Sequence, residues 1–151
     1  MTMHAIEILL DQAKERVDEA TQTLAKTRQQ LKAARDKLDM LEQYMGETCQ
    51  NQSLRATGAG LTGFQLKNQN AFNSKMREAV NQQSRQVDFF VKTEEHHVKL
   101  WQEALVQQKK FEAVMEREKR RQQAKENKRD QKMNDEFAAR IHRVRTNGET
   151  A

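Results

Sequence analysis

The chain has 151 residues and a mass of 17.7 kDa, with 27 Lys and Arg against 22 Asp and Glu, so it carries +5 at neutral pH. Charged residues make up 32% of it, hydrophobic residues 36%, mean hydropathy is −1.04, and proline is absent. A compact α/β or all-β catalytic domain needs turn residues every ten or so positions, and this composition does not supply them. Ala, Leu, Gln, Glu, Lys and Arg dominate instead, which are good helix formers. Disorder is the competing reading of so polar a chain, so apolar periodicity decides.

The first segment, MTMHAIEILLDQAKE, is apolar only briefly and lacks the basic region and cleavage site of a secretory signal. No window approaches 18 uncharged apolar residues, so no transmembrane segment is expected. From Ile6 the pattern is regular. Ile6, Leu10, Ala13, Val17, Ala20, Leu24, Thr27, Leu31, Ala34, Leu38, Leu41 and Met45 follow one another at spacings of four and three. A heptad seam of that length predicts a coiled-coil helix over about 3–52 and rules against disorder. Cys49 is the single cysteine, so neither an internal disulfide nor a thiolate-rich metal site is available; it reads as a reduced thiol in the cytosol.

Gly46 dents the first helix, and 51-NQSLRATGAGLTG-63 predicts a turn over about 53–62. Within it, 58-GAGLTG-63 matches G-x-G-x-x-G in letters. A dinucleotide site also requires a preceding strand and a βαβ unit, and here a coiled coil precedes it. The glycines therefore read as a hairpin turn. Thr62 and Gln65 have capping-box spacing, with Leu61 and Leu66 placed for a hydrophobic staple.

The second predicted helix runs over about 63–144 with a wider stripe. One column is Val80, Val87, Glu94, Trp101, Gln108 and Met115; beside it run Phe90, His97, Ala104 and Phe111, then Val91, Val98 and Leu105. Glu94 and His97 form E-x-x-H, which in di-iron bundles needs a second such motif and two further glutamates. The chain has no second motif, His96 points about 100° away from His97, and two ligands do not make a metal site. Glu95 and Lys99 read as an ordinary i,i+4 pair. Serine occurs only at 53, 74 and 84, and no nucleophile elbow, P-loop or kinase signature is present. No enzyme activity, metal or cofactor is expected.

Two long helices joined by one glycine-rich turn predict an antiparallel hairpin, all-α, forming one coiled-coil domain over 1–151. A turn centred near 58 pairs position i with about 116 − i. Residue 6 then meets about residue 110, and Tyr44 and Phe72 sit at one level. The hairpin would be roughly 70 Å long, with a helical overhang of about 45 Å beyond it. Charge follows the same boundary. Residues 1–115 hold 16 basic and 15 acidic side chains, whereas the overhang 116–145 holds 11 and 6. Its end regains an apolar stripe at Met133, Phe137, Ile141 and Val144, which predicts contact with another protein. Nucleic-acid binding through 117–145 is the alternative. The acids interleaved there (Glu116, Glu118, Glu126, Asp130) dilute the field that phosphate binding needs and favour a protein partner.

The stretch 126-ENKRDQKMNDEF-137 resembles the C-terminal pattern of the flagellar FliJ family at Glu126, Asn127, Asp130, Gln131, Lys132, Asp135, Glu136 and Phe137, and 38-LDMLEQY-44 is a second, weaker likeness. Length, helical hairpin and late basic overhang agree with it. The resemblance implies a cytoplasmic, non-enzymatic coiled-coil stalk of the flagellar type III protein export apparatus, similar in fold to the central shaft of rotary ATPases. It implies three partners: the hexameric export ATPase, entered by the open end of the hairpin; a membrane export gate protein, met near the turn; and export chaperones, escorted when empty. Localisation would be peripheral, at the inner face of the membrane. Carried onto this chain, gate docking falls to Leu41, Tyr44, Phe72, Met76 and Ala79, while Thr48 and Gln83 depart from the family pattern. Ring binding is assigned to the overhang, at Arg120, Arg121, Lys128, Arg129, Asp130, Met133, Phe137 and Ile141.

Overall fold

The computed structural model describes residues 2–60 and 62–149. They form two α-helices, α1 over Met3–Ala59 and α2 over Gly63–Glu149. Thr2 caps α1, its Oγ1 accepting from the Ala5 N–H at 3.3 Å. Gly60 has φ 61°, the left-handed conformation that ends helices and that glycine adopts without strain. Thr62 and Gln65 then close the expected capping box: the Gln65 N–H donates to Thr62 Oγ1 and the Thr62 N–H to Gln65 Oε1, each at 3.2 Å. The staple expected beside it involves Leu61, which lies outside the described residues.

The expected end of the first helix near 52 is corrected: α1 continues seven residues further, to Ala59. Gln, Ser, Leu, Arg and Ala between 52 and 56 are all tolerated in helices, and one Gly costs only about 1 kcal/mol. The turn is thus shorter than the run of small and polar residues suggested. At its other end α2 runs to Glu149, five residues beyond the expected limit.

The described chain divides into two compact units. In the first, Arg16–Ala104, both helices pack side by side. Between Arg16 and Glu47 the residues withdrawn from solvent are Val17, Ala20, Leu24, Thr27, Leu31, Ala34, Leu38, Leu41 and Met45, and everything between them is exposed. The facing side of α2 carries an equally strict seam: Gln69, Asn73, Met76, Val80, Gln83, Val87, Phe90, Glu94, His97, Trp101 and Ala104. Its spacing is four and three throughout. Polar members at 69, 73, 83 and 94 hide that regularity from an apolar count, and Val91 and Val98 flank it.

Cross-hairpin contacts fix the pairing. The Trp101 indole N–H donates to Thr21 Oγ1 at 3.1 Å, and Arg28 Nε lies 3.6 Å from the Glu94 carboxylate. Both pairs are symmetric about residue 61, and Gln52–Asn73 and the long-reaching Gln83–Ala34 contact fall on either side of it, so the expected centre near 58 is displaced by about three residues. The reason is the extended α1. In the second unit, the described residues of Met1–Glu15 and Leu105–Ala151, Ile6, Leu10 and Ala13 are buried and Leu105, Gln108, Phe111, Met115 and Glu118 are half-buried. Residues 119–148 are exposed without interruption.

Candidate interaction surfaces

Heptad geometry decides which residues of the turn-proximal region remain available to a partner. Leu41 and Met76 occupy seam positions and are half-buried between the helices; Ala79 is half-buried at the seam flank. Tyr44 and Phe72 lie outside the seam and are exposed. The structure places them along one open groove of about 420 Å³, whose walls also include Thr48, Gln52, Arg55 and Asn68. The groove is tied across the hairpin by Asn73 Nδ2 donating to Gln52 Oε1 at 3.0 Å.

Tyr44 and Phe72 do not sit at one level, as a turn centred at 58 required. Symmetry about 61 puts Tyr44 opposite about residue 78 and Phe72 opposite about residue 50, an offset of roughly 9 Å along the axis. They bracket the groove rather than pair across it. Of the five expected docking residues, two therefore present aromatic faces and three support them from within or beside the seam.

Gln83 is a residue whose role the sequence did not disclose. It is 7% exposed, and its Nε2 donates to the main-chain carbonyl of Ala34 at 2.9 Å. Its heptad position was the available signal, since 76, 83, 90 and 97 share one column. It is a core residue, not a surface one.

In the second unit all eight residues expected to bind the ring are exposed. Arg120 pairs with Glu116 at 3.3 Å and Arg121 with Glu118 at 2.9 Å, both along the same helix. Lys128, Arg129 and Asp130 follow roughly two turns later. Met133, Phe137, Ile141 and Val144 then rise at intervals of three and four and so share one face of α2. Among the described residues no three His, Cys, Asp or Glu side chains gather into a metal-binding group, and no helix is long and apolar enough to cross a membrane.

A helical hairpin with a groove in one unit and a bare, basic, amphipathic helix segment in the other defines a coiled-coil protein that works by binding. The family described as "Flagellar FliJ protein" matches residues 3–147, and the chain belongs to that family. It is 28% identical over 141 residues to the flagellar FliJ protein of Salmonella typhi, spanning 93% of this chain and 95% of that one. It is 27% identical over 136 residues to that of Escherichia coli (strain K12), at 90% and 92% coverage. No solved structure matches the chain. Membership makes it a non-enzymatic component of flagellar protein export.

Proposed function

We propose that this chain links the flagellar export ATPase ring to the membrane export gate. The observation that carries the reading is the exposed stripe of Met133, Phe137, Ile141 and Val144 on a helix segment with no residue withdrawn from solvent over 119–148. A helix in that state has apolar area to bury and a basic approach to it, at Arg120, Arg121, Lys128 and Arg129 beside Asp130. The ring is its partner, attracted over long range by charge and held at short range by the stripe.

The gate takes the groove. Tyr44 and Phe72 supply rigid aromatic faces of the kind that dominate contact energies, while Leu41, Met76 and Ala79 hold the helices that present them. Empty export chaperones are escorted on the same non-enzymatic rod. The protein acts in the cytoplasm and peripherally at the inner face of the membrane, at the base of the flagellum.

The class of partner is tested by pull-down of the full-length chain from nuclease-treated lysate. Export ATPase and gate protein retained on the chain support the proposal. Binding lost entirely with the nuclease transfers the overhang to nucleic acid. The pairing of Arg120 and Arg121 with Glu116 and Glu118 favours the first outcome, because an arginine already matched with a carboxylate has less attraction left for phosphate.

A further inference from the structure

The turn region is chemically unlike the rest of the chain. From Thr48 to Arg77 there are thirty residues with four basic side chains (Arg55, Lys67, Lys75 and Arg77) and not one acid. All four are exposed. Elsewhere the signs alternate, and even the basic overhang interleaves six acids. Within this field the largest apolar side chains stand clear of the seam. Leu54 is 71% exposed, Phe64 74% and Leu66 50%.

At 1.5 Å per residue, Leu54, Phe64 and Leu66 all lie within about 10 Å of the turn-side ends of α1 and α2. Arg55 and Lys67 fall in the same layer. Lys75 and Arg77 stand roughly 20 Å back. The remaining side chains near the turn are largely Asn, Gln, Ser and Thr, uncharged and able to hydrogen-bond. An interfacial element buries its apolar side chains about 5–10 Å deep and keeps Lys and Arg at headgroup level, which is this layering.

We propose that the turn of the hairpin binds an anionic lipid surface directly, with Phe64, Leu66 and Leu54 entering the interface and Arg55 and Lys67 meeting lipid phosphates. Three observations favour lipid over an acidic protein segment. The apolar side chains protrude, and a fluid partner needs no matching shape. Of the concave features nearby, the Tyr44–Phe72 groove is lined mostly by polar groups, and the shallow one at Leu54 is formed by Cys49, Gln50, Ser53 and Leu54 on a single helix, with no opposing wall to grip a folded partner. The absence of acids over thirty residues removes the repulsion that a negatively charged bilayer would otherwise impose. The contact is weak and reversible: two basic groups within a Debye length of the surface contribute roughly fivefold each. It adds to gate docking, with which it shares Arg55 on the wall of the groove, and it orients the chain, turn toward the bilayer.

The test is co-sedimentation of the full-length chain with vesicles of phosphatidylcholine alone or mixed with phosphatidylglycerol in roughly equal parts. The chain should sediment with the mixed vesicles and stay in solution with the neutral ones. Arg55→Glu with Lys67→Glu should weaken binding on the order of 25-fold or more. Phe64→Ser with Leu66→Ser should weaken it at every salt concentration, and both double variants should keep the helical circular dichroism, since all four sites are exposed. Reversal of Lys128 and Arg129 in the overhang should leave it nearly unchanged. Failure of the unaltered chain to sediment with mixed vesicles overturns the proposal, as does binding that follows the overhang variant and ignores the turn variants. Capture of an acidic protein by the turn in the absence of lipid binding assigns the surface to that protein instead.

Discussion

Gln83 and Ala34 are joined across the hairpin by a hydrogen bond of 2.9 Å from the side-chain amide to a main-chain carbonyl, in a seam otherwise occupied by Leu, Val, Ala and Phe at neighbouring positions. A buried amide in a heptad core costs stability and fixes alignment, because any shift of the helices leaves it unpaired in an apolar contact.

Replacing Gln83 with Leu should therefore leave the thermal midpoint unchanged or raise it while loosening the register. Spin labels at the exposed positions Lys37 and Arg85, in a Cys49→Ser background, measure this. The unaltered seam should give one narrow distance; Gln83→Leu should broaden or split it. A distribution as narrow as before would move the register constraint to Trp101–Thr21 and Arg28–Glu94.

Leu31 is buried in the α1 seam. Leu31→Asp sets a charge in a packed contact with no partner and should destabilise the hairpin by about 2–4 kcal/mol. Circular dichroism followed through a thermal melt checks it. A melt that did not move would be incompatible with the seam as the stabilising contact.

How much of this was legible in the sequence depends on which side chains fill the seam. In α1 the seam is almost wholly apolar, Thr27 excepted, and the twelve positions read from Ile6 to Met45 are all withdrawn from solvent, joined there only by Leu9. In α2 the same period is carried partly by Gln69, Asn73, Gln83 and Glu94, and the last three find polar partners across the hairpin. An apolar pattern sees only a broad stripe there. The capping box at Thr62 was legible because its two residues are local and reciprocal. The end of α1 was not, because Gly46 and Gly58 both lie within the helix, and among the described residues the left-handed conformation falls to Gly60. That three-residue displacement is also why Tyr44 and Phe72 flank a groove instead of sitting level.

Tyr44→Ala with Phe72→Ala should abolish gate binding and export while preserving stimulation of the export ATPase and the thermal midpoint. Both side chains are exposed, so little packing is lost with them. Gate binding, secretion and ATPase rate measured on the same preparation check it. A joint fall of all three together with the midpoint would mark misfolding rather than lost docking.

Reversal of Arg120, Arg121, Lys128 and Arg129 together should weaken ring binding at low salt and flatten its salt dependence, since long-range attraction is removed. Phe137→Ala should weaken binding by a similar factor at every salt concentration, because burial of an aromatic ring is not screened. Binding isotherms over a salt series separate the two. Identical salt slopes for both variants would contradict a division between steering and anchoring.

Truncation after Glu118 tests the central claim most directly, because it removes every residue of the exposed segment and leaves both seams whole. The truncated hairpin should keep an almost unchanged melting point, measured by circular dichroism, and should no longer stimulate the export ATPase. A truncated chain that melted normally and still stimulated the ATPase fully would make the overhang a passive tail and place the ring-binding surface elsewhere.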